Sequence, residues 1–251
     1  MPPAEVLLFA VGIFCAAPVQ KAPVADALLD AGWHAVGGGK APPASLEIHG
    51  HTRVLIGSTG KLSEPRTLSI RVLQPDRFLR ITSDRTFESR FGFAGDELLN
   101  GIRALKPGDT FGATYGPEQI GLERAWVARF MLGMLSQKAA VTRMQVRPSS
   151  AASVEVTGSE GFSAAVDFDT ATGMPLRVRH QANVHFPVPG SLAPPPPEKA
   201  EVVWTFQDRR AVGGLRLPHR IVRTARDVTL EEMQFDTVLV NPPLTAKDFN
   251  K

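Results

Sequence analysis

The stretch LEIHGHTRVLI, residues 46–56, alternates. Leu46, Ile48, Thr52, Val54 and Ile56 fall on one side of an extended chain, and Glu47, His49, His51 and Arg53 on the other. Successive side chains of a strand point to opposite faces, so this period predicts one covered and one solvated face. Antiparallel sheets behave this way, whereas strands of parallel sheets are buried on both sides and read as continuous apolar runs.

The pattern recurs on both sides of a central helical region. Leu68, Ile70 and Val72 oppose Thr67, Ser69 and Arg71, and Phe87, Phe91 and Phe93 oppose Glu88 and Arg90. Further on, Phe162, Ala164, Val166 and Phe168 alternate with Ser163, Asp167 and Asp169. Leu176, Val178 and Val184 alternate with Arg177, Arg179 and Gln181. Val202, Trp204 and Phe206 share a face, as do Leu215, Leu217 and Ile221, then Met233, Phe235 and Leu239. At least eight one-sided strands follow, joined by turn-forming stretches such as QPDR (74–77), AGDE (94–97) and TATG (170–173).

Two segments carry the helical period instead. Over 24–36, Ala25, Leu28, Leu29, Gly32 and Val36 form a stripe, which Gly37-Gly38-Gly39 ends. Over 117–139, Pro117 suits a first turn, and Val127, Phe130, Met131, Met134 and Leu135 form a stripe flanked by Trp126. This helix is expected to cover the apolar face of the sheet. The fold class expected is therefore α+β and mainly β: a curled antiparallel sheet, or half-open β-barrel, around a few helices.

Composition narrows the function classes. At 251 residues the chain is long enough for a full-sized core. Arginines spread along strands and a net charge of only +3 argue for a solvated convex face, not a nucleic-acid stripe. Residues 1–23 read as a separate segment. Val6 to Phe14 has the length of an export-signal core but lacks a basic leader, and Phe14 before Cys15 argues against lipid attachment there. No other stretch is apolar enough to cross a membrane. Residues 24–251 are expected to form one β domain, with FPVPGSLAPPPPE (186–198) as a stiff Pro-rich hairpin loop.

Motifs that could carry chemistry dissolve on inspection. GSTGK (57–61) lacks the following Ser or Thr and the helix of a phosphate loop, and reads as a hairpin turn. His49 and His51 share the solvated face with no third ligand, so no metal is expected. His180 and His219 lie on apolar faces as core histidines. Asp167 and Asp169 read as solvated residues flanking a turn, and TGSEG (157–161) lacks the spacing of a nucleophile elbow. No catalytic set and no cofactor site emerge, so the expectation is a non-enzyme.

What does stand out is soft apolar bulk: Phe outnumbers Tyr by 14 to 1, rings without a polar handle. Such a stock packs an ordinary core. It also suits a concave sheet, incompletely filled, whose gap receives an acyl chain. The residues expected to line that gap are Leu68, Ile70, Phe91, Phe93, Trp126, Phe130, Met134, Trp204 and Phe235.

Four pieces together resemble the LolA-like family of outer-membrane lipoprotein-sorting proteins. They are LLDAGWHAVGGGKAPPASLEIHGHTRV (28–54), LQPDRFLRI leading to GFAGDELLNG (73–101), DFDTATGMPLRVR (167–179), and VGGLRLPHRI leading to VLVNPPLTAKDF (212–249). The resemblance implies a half-open β-barrel with helices and an apolar cavity on its concave side. It further implies a periplasmic carrier of an acyl chain, lipid or lipoprotein that makes transient contact with inner- or outer-membrane proteins. Departures are Leu98 and Leu99 where the family often places a Trp, and the Pro-rich insertion. A non-enzymatic cell-envelope scaffold whose cavity is filled stays open as the alternative. Within this pattern Pro242 and Pro243 stop the last strand, and Phe249 is expected to tuck under the sheet's edge.

Overall fold

A computed structural model describes residues 25–39, 41–57, 59–104, 110–111, 117–137, 144–159, 161–188 and 196–249. The expectations about residues 1–23, Cys15 among them, and about the middle of the Pro-rich loop lie outside these residues.

The first described element is helix α1 (Ala25–Gly37), ended by Gly38 and Gly39 at φ values of 61° and 80° that favour glycine. Seven strands follow: β1 (Ser45–Ile56), β2 (Lys61–Leu62), β3 (Arg66–Leu73), β4 (Arg77–Ser83), β5 (Phe87–Ala94), β6 (Glu97–Ala104) and β7 (Thr110–Phe111). Helix α2 (Pro117–Leu135) separates them from β8 (Gln145–Ser150), β9 (Ser153–Thr157), β10 (Ser163–Phe168), β11 (Pro175–Val184), β12 (Glu198–Val212), β13 (Leu215–Ala225) and β14 (Val228–Val240). A 3-10 turn, Ala246–Phe249, closes the described chain.

All pairings are antiparallel, in the order β7-β6-β5-β4-β3-β1-β14-β13-β12-β11-β10-β9-β8, with β2 attached to β1. The first and last strands of the domain thus meet in the middle, and hairpins run outward from them. GSTGK falls in the β1–β2 hairpin, where Gly60 N donates to Ile56 O at 2.9 Å. The Pro-rich segment joins β11 to β12, whose ladder reaches Val184 opposite Glu198.

The sheet is strongly curled. β4 and β12 stand five places apart in the strand order, about 24 Å on a flat sheet. Yet the Trp126 indole of α2 lies 5.2 Å from the ring of Phe78 on β4 and 5.0 Å from that of Trp204 on β12. Only a sheet wrapped around α2 permits both contacts. The edges β7 and β8 do not pair, so the barrel is half open.

Alternation holds for most strands: Leu46, Ile48 and Thr52 on β1, and Leu68, Ile70 and Val72 on β3, are all buried. Two apolar residues expected on the covered face leave it at bulges. On β14, Phe235 pairs with Gly50 and Thr237 with His49, which leaves Asp236 as an extra residue. Parity flips there, so Val238 is buried while Leu239 is 43% exposed, not on the face of Met233 and Phe235. On β11, Pro175 pairs with Phe168 and Arg177 with Asp167, so Leu176 is the extra residue and turns outward.

The convex face carries arginine pairs such as Arg71–Glu47 at 3.0 Å and Arg220–Glu232 at 2.5 Å. Asp169 caps its turn by accepting from Thr172 N at 2.8 Å. Asp167 differs from the expected solvated residue: it is only 8% exposed and is gripped by Arg177, Arg179 and Ser153. Burial alone would raise its carboxyl, but those donors bring it down to about 2. Phe249 is buried, though not beneath an edge strand as expected: it packs on the convex side against Leu79 of β4 and Leu99 of β6. Asn241 holds that end in place: at φ 55° its Oδ1 accepts from Ala44 N at 2.7 Å.

Candidate functional site: the concave interior

The interior is built around α2. Its backbone approaches the sheet at Gly133, where a Cβ would fall 1.6 Å from the Phe206 ring, so no larger residue fits. Arg209 of β12 reaches across to donate to the Gly133 carbonyl at 3.0 Å. Burial, with Arg216 nearby, lowers that guanidinium to about 10.

Eight of the nine residues expected to line a gap fall into one buried cluster around α2, and the ninth, Phe91, is partly buried against it. The rings form a connected array. Trp126 stacks on Phe130 at 5.4 Å and 13°, meets Phe91 edge-on at 6.1 Å, and meets Trp204 edge-on at 5.0 Å. Phe130 continues to Phe235 at 6.3 Å. Leu68, Ile70, Phe93 and Met134 are buried in the same cluster. The expected gap is therefore occupied by the protein's own side chains: Phe130, Met134 and Phe235 have no exposed surface. Contacts of this kind hold α2 through apolar packing, while the sheet around it is held by backbone ladders.

Within this apolar array sits a set of charges that the sequence reading missed. Glu231 of β14, 2% exposed, accepts from Arg80 of β4 and from Arg223 of β13, and Thr52 Oγ1 donates to it at 3.0 Å. Burial would push the Glu231 carboxyl up, but Arg80 and Arg223 hold it down at about 2. Arg80 lies 5.4 Å from the Phe91 and Trp126 ring centres, and Arg223 lies 5.0 Å from that of Trp204. One turn along α2 from Trp126, Arg129 lies 5.3 Å from the Phe162 ring; burial, then the charge of Arg223, lowers its guanidinium to about 10. The signal for these residues was present in the sequence. Arg80, Arg223 and Glu231 occupy the inward phase of their strands, where a charge must be partnered.

His180 and His219 are buried as expected, at 9% and 4% exposure. His49 and His51 stay on the convex face, beside Glu47 at 3.4 Å and Asp236 at 3.0 Å. Among the described residues no three His, Cys, Asp or Glu side chains come together as a metal site. Nor is any helix among them long and apolar enough to cross a membrane.

The architecture is an open half-barrel that folds one helix into its concave side. The same fold is seen in the crystal structure of a LolA superfamily protein from Nitrosomonas europaea, with a TM-score of 0.53 over 91% of this chain and 98% of that one, at 9% identity. A DUF1329 family protein from Desulfovibrio piger aligns over 90% of this chain and 97% of that one, with a TM-score of 0.44 and 10% identity. The chain thus has a LolA-like fold. No family model matches it, and no curated protein does.

Proposed function

We propose that residues 24–251 form a periplasmic carrier that shelters an acyl chain or lipid-like ligand, lipoproteins bound for the outer membrane included, and that catalyses no reaction. The supporting observation is the aromatic array Phe91–Trp126–Phe130–Phe235, with Trp204 at its flank, lying between α2 and a sheet whose ladders do not depend on the helix. Side chains that pack against one another can instead pack against an acyl chain when α2 moves aside. Each CH₂ buried is worth about 0.8 kcal/mol, so a long chain repays the displaced helix packing. The nine residues named above would line the occupied interior, with Met134 adapting to chain shape. The dense packing of this interior favours, as a second reading, an envelope scaffold that kept the fold with its cavity filled.

Native mass spectrometry of gently purified protein separates the two. A carrier shows co-purified lipid and takes up a fluorescent fatty acid with quenching of Trp126 and Trp204. A clean apo mass with no uptake overturns the carrier. A protein partner that binds the full chain, but not a chain without residues 186–198, then supports the scaffold.

A further inference from the structure

Five buried side-chain atoms lack a hydrogen-bond partner among the described residues: Ser69 Oγ, Arg80 Nε, Arg129 Nε, Arg223 Nε and Trp126 Nε1. Four of these are N–H groups, which can only donate, and those four lie together. Arg80 approaches the Trp126 ring, Trp126 meets Trp204, and Arg223 lies over Trp204. Arg129 follows Trp126 by one turn on the same helix. Among the described residues, Glu231 is the only carboxylate paired with any of the three arginines, and Arg129 has none. Arg80 and Arg223 share one carboxylate and Arg129 is paired with none among the described residues, which leaves a surplus of positive charge in the interior. An unmet buried donor costs about 1–3 kcal/mol, more when it is charged, so such a group calls for an acceptor.

The wall beside Arg129 is open. The β10–β11 ladder runs only from Phe168–Pro175 to Ala165–Arg179, while β11 stays paired with β12 as far as Val184. Beyond Ala165 the pairing stops, beside a cavity of about 430 Å³. Its lining includes His180 and Arg129 from inside, and Arg179, Gln181 and Glu201 from the convex face, so it passes between strands. Glu201 is held by Arg179 at 3.3 Å. His180 Nε2 is occupied as the acceptor of Trp204 Nε1.

We propose that Arg80, Arg129, Arg223 and the Trp126 indole N–H form an anion-binding centre for the head of an amphiphile, a carboxylate or a phosphate, reached through the opening between β10 and β11. This rests on the acyl-carrier reading, and it adds that the cargo is anionic. An anionic oxygen accepts from the orphaned donors and cancels the surplus charge, while the tail runs along the neighbouring rings. Arg129 is the group nearest the opening.

The test compares oleate, oleoyl lysophosphatidate and uncharged oleyl alcohol, each below micellar concentration, by tryptophan fluorescence titration of the full chain. At least one anion binds the wild type roughly tenfold or more tightly than the alcohol, and the stronger of the two identifies the head group. Arg129→Met lowers that ratio towards one without weakening the alcohol, and Arg129→Lys restores part of it. Equal binding of anions and alcohol by the wild type, or a ratio unmoved in a folded Arg129→Met protein, overturns the anion centre and leaves the carrier standing. Failure of all three to bind overturns both.

Discussion

Trp204 Nε1 donates to His180 Nε2 at 3.2 Å, from one buried side chain to another on the neighbouring strand. The bond requires Nε2 to be unprotonated, which places the imidazole proton on Nδ1, 3.3 Å from the Gln181 carbonyl. Burial, then the charge of Arg129, pushes the imidazole down from 6.5 to about 3.

That depression makes the fold acid-sensitive well above the carboxylate range. Between about pH 6.5 and 3 the unfolded chain binds a proton at His180 that the folded chain refuses, so stability falls as pH drops. Urea unfolding at about pH 7.5 and about pH 5 checks this, and the drop in midpoint is smaller in His180→Gln, whose amide oxygen still accepts from Trp204. An equal drop in both proteins contradicts it.

Glu231 separates two arginines, so its removal leaves like charges facing each other in the interior. Glu231→Gln is expected to cost about 3–5 kcal/mol in denaturant unfolding. Replacing the set together (Arg80→Met, Arg223→Met, Glu231→Leu) costs far less, because no buried charge is left unpaired. The folded-state carboxyl is depressed from 4.5 to about 2, so its contribution is complete above pH 4.5 and disappears as pH falls through about 2.

The bulge at Asp236 sets which of two neighbouring residues faces the core. Leu239→Lys is expected to change stability by no more than about 0.5 kcal/mol, whereas Val238→Lys, which buries a charge, unfolds the protein or costs several kcal/mol. Thermal melts of the two variants in the reverse order would refute the register.

Gly133 lets α2 sit directly on Phe206. Gly133→Ala pushes ring and helix apart and is expected to lower stability by about 1–3 kcal/mol, even though alanine is the better helix former. A stabilised Gly133→Ala protein would show that the helix has room to spare.

Much of this was legible in the residues. Period-two alternation at 46–56 and its repeats gave an antiparallel one-faced sheet, the Trp126–Leu135 stripe gave the covering helix, and Asn-Pro-Pro gave the end of the last strand. These signals are local, since the backbone period and the missing N–H of proline act within a few residues. Tertiary structure alone decided the rest. Pairing across strands inserted the bulges at Leu176 and Asp236 that turn Leu176 and Leu239 outward, and it brought Arg177 and Arg179 onto Asp167. Curling brought Arg80 to the hairpin pair Arg223 and Glu231, far from it in sequence, around one pair of indoles, and filled the hollow with α2. Charge pairing and packing act through space, so they became readable only once the strands had found their neighbours.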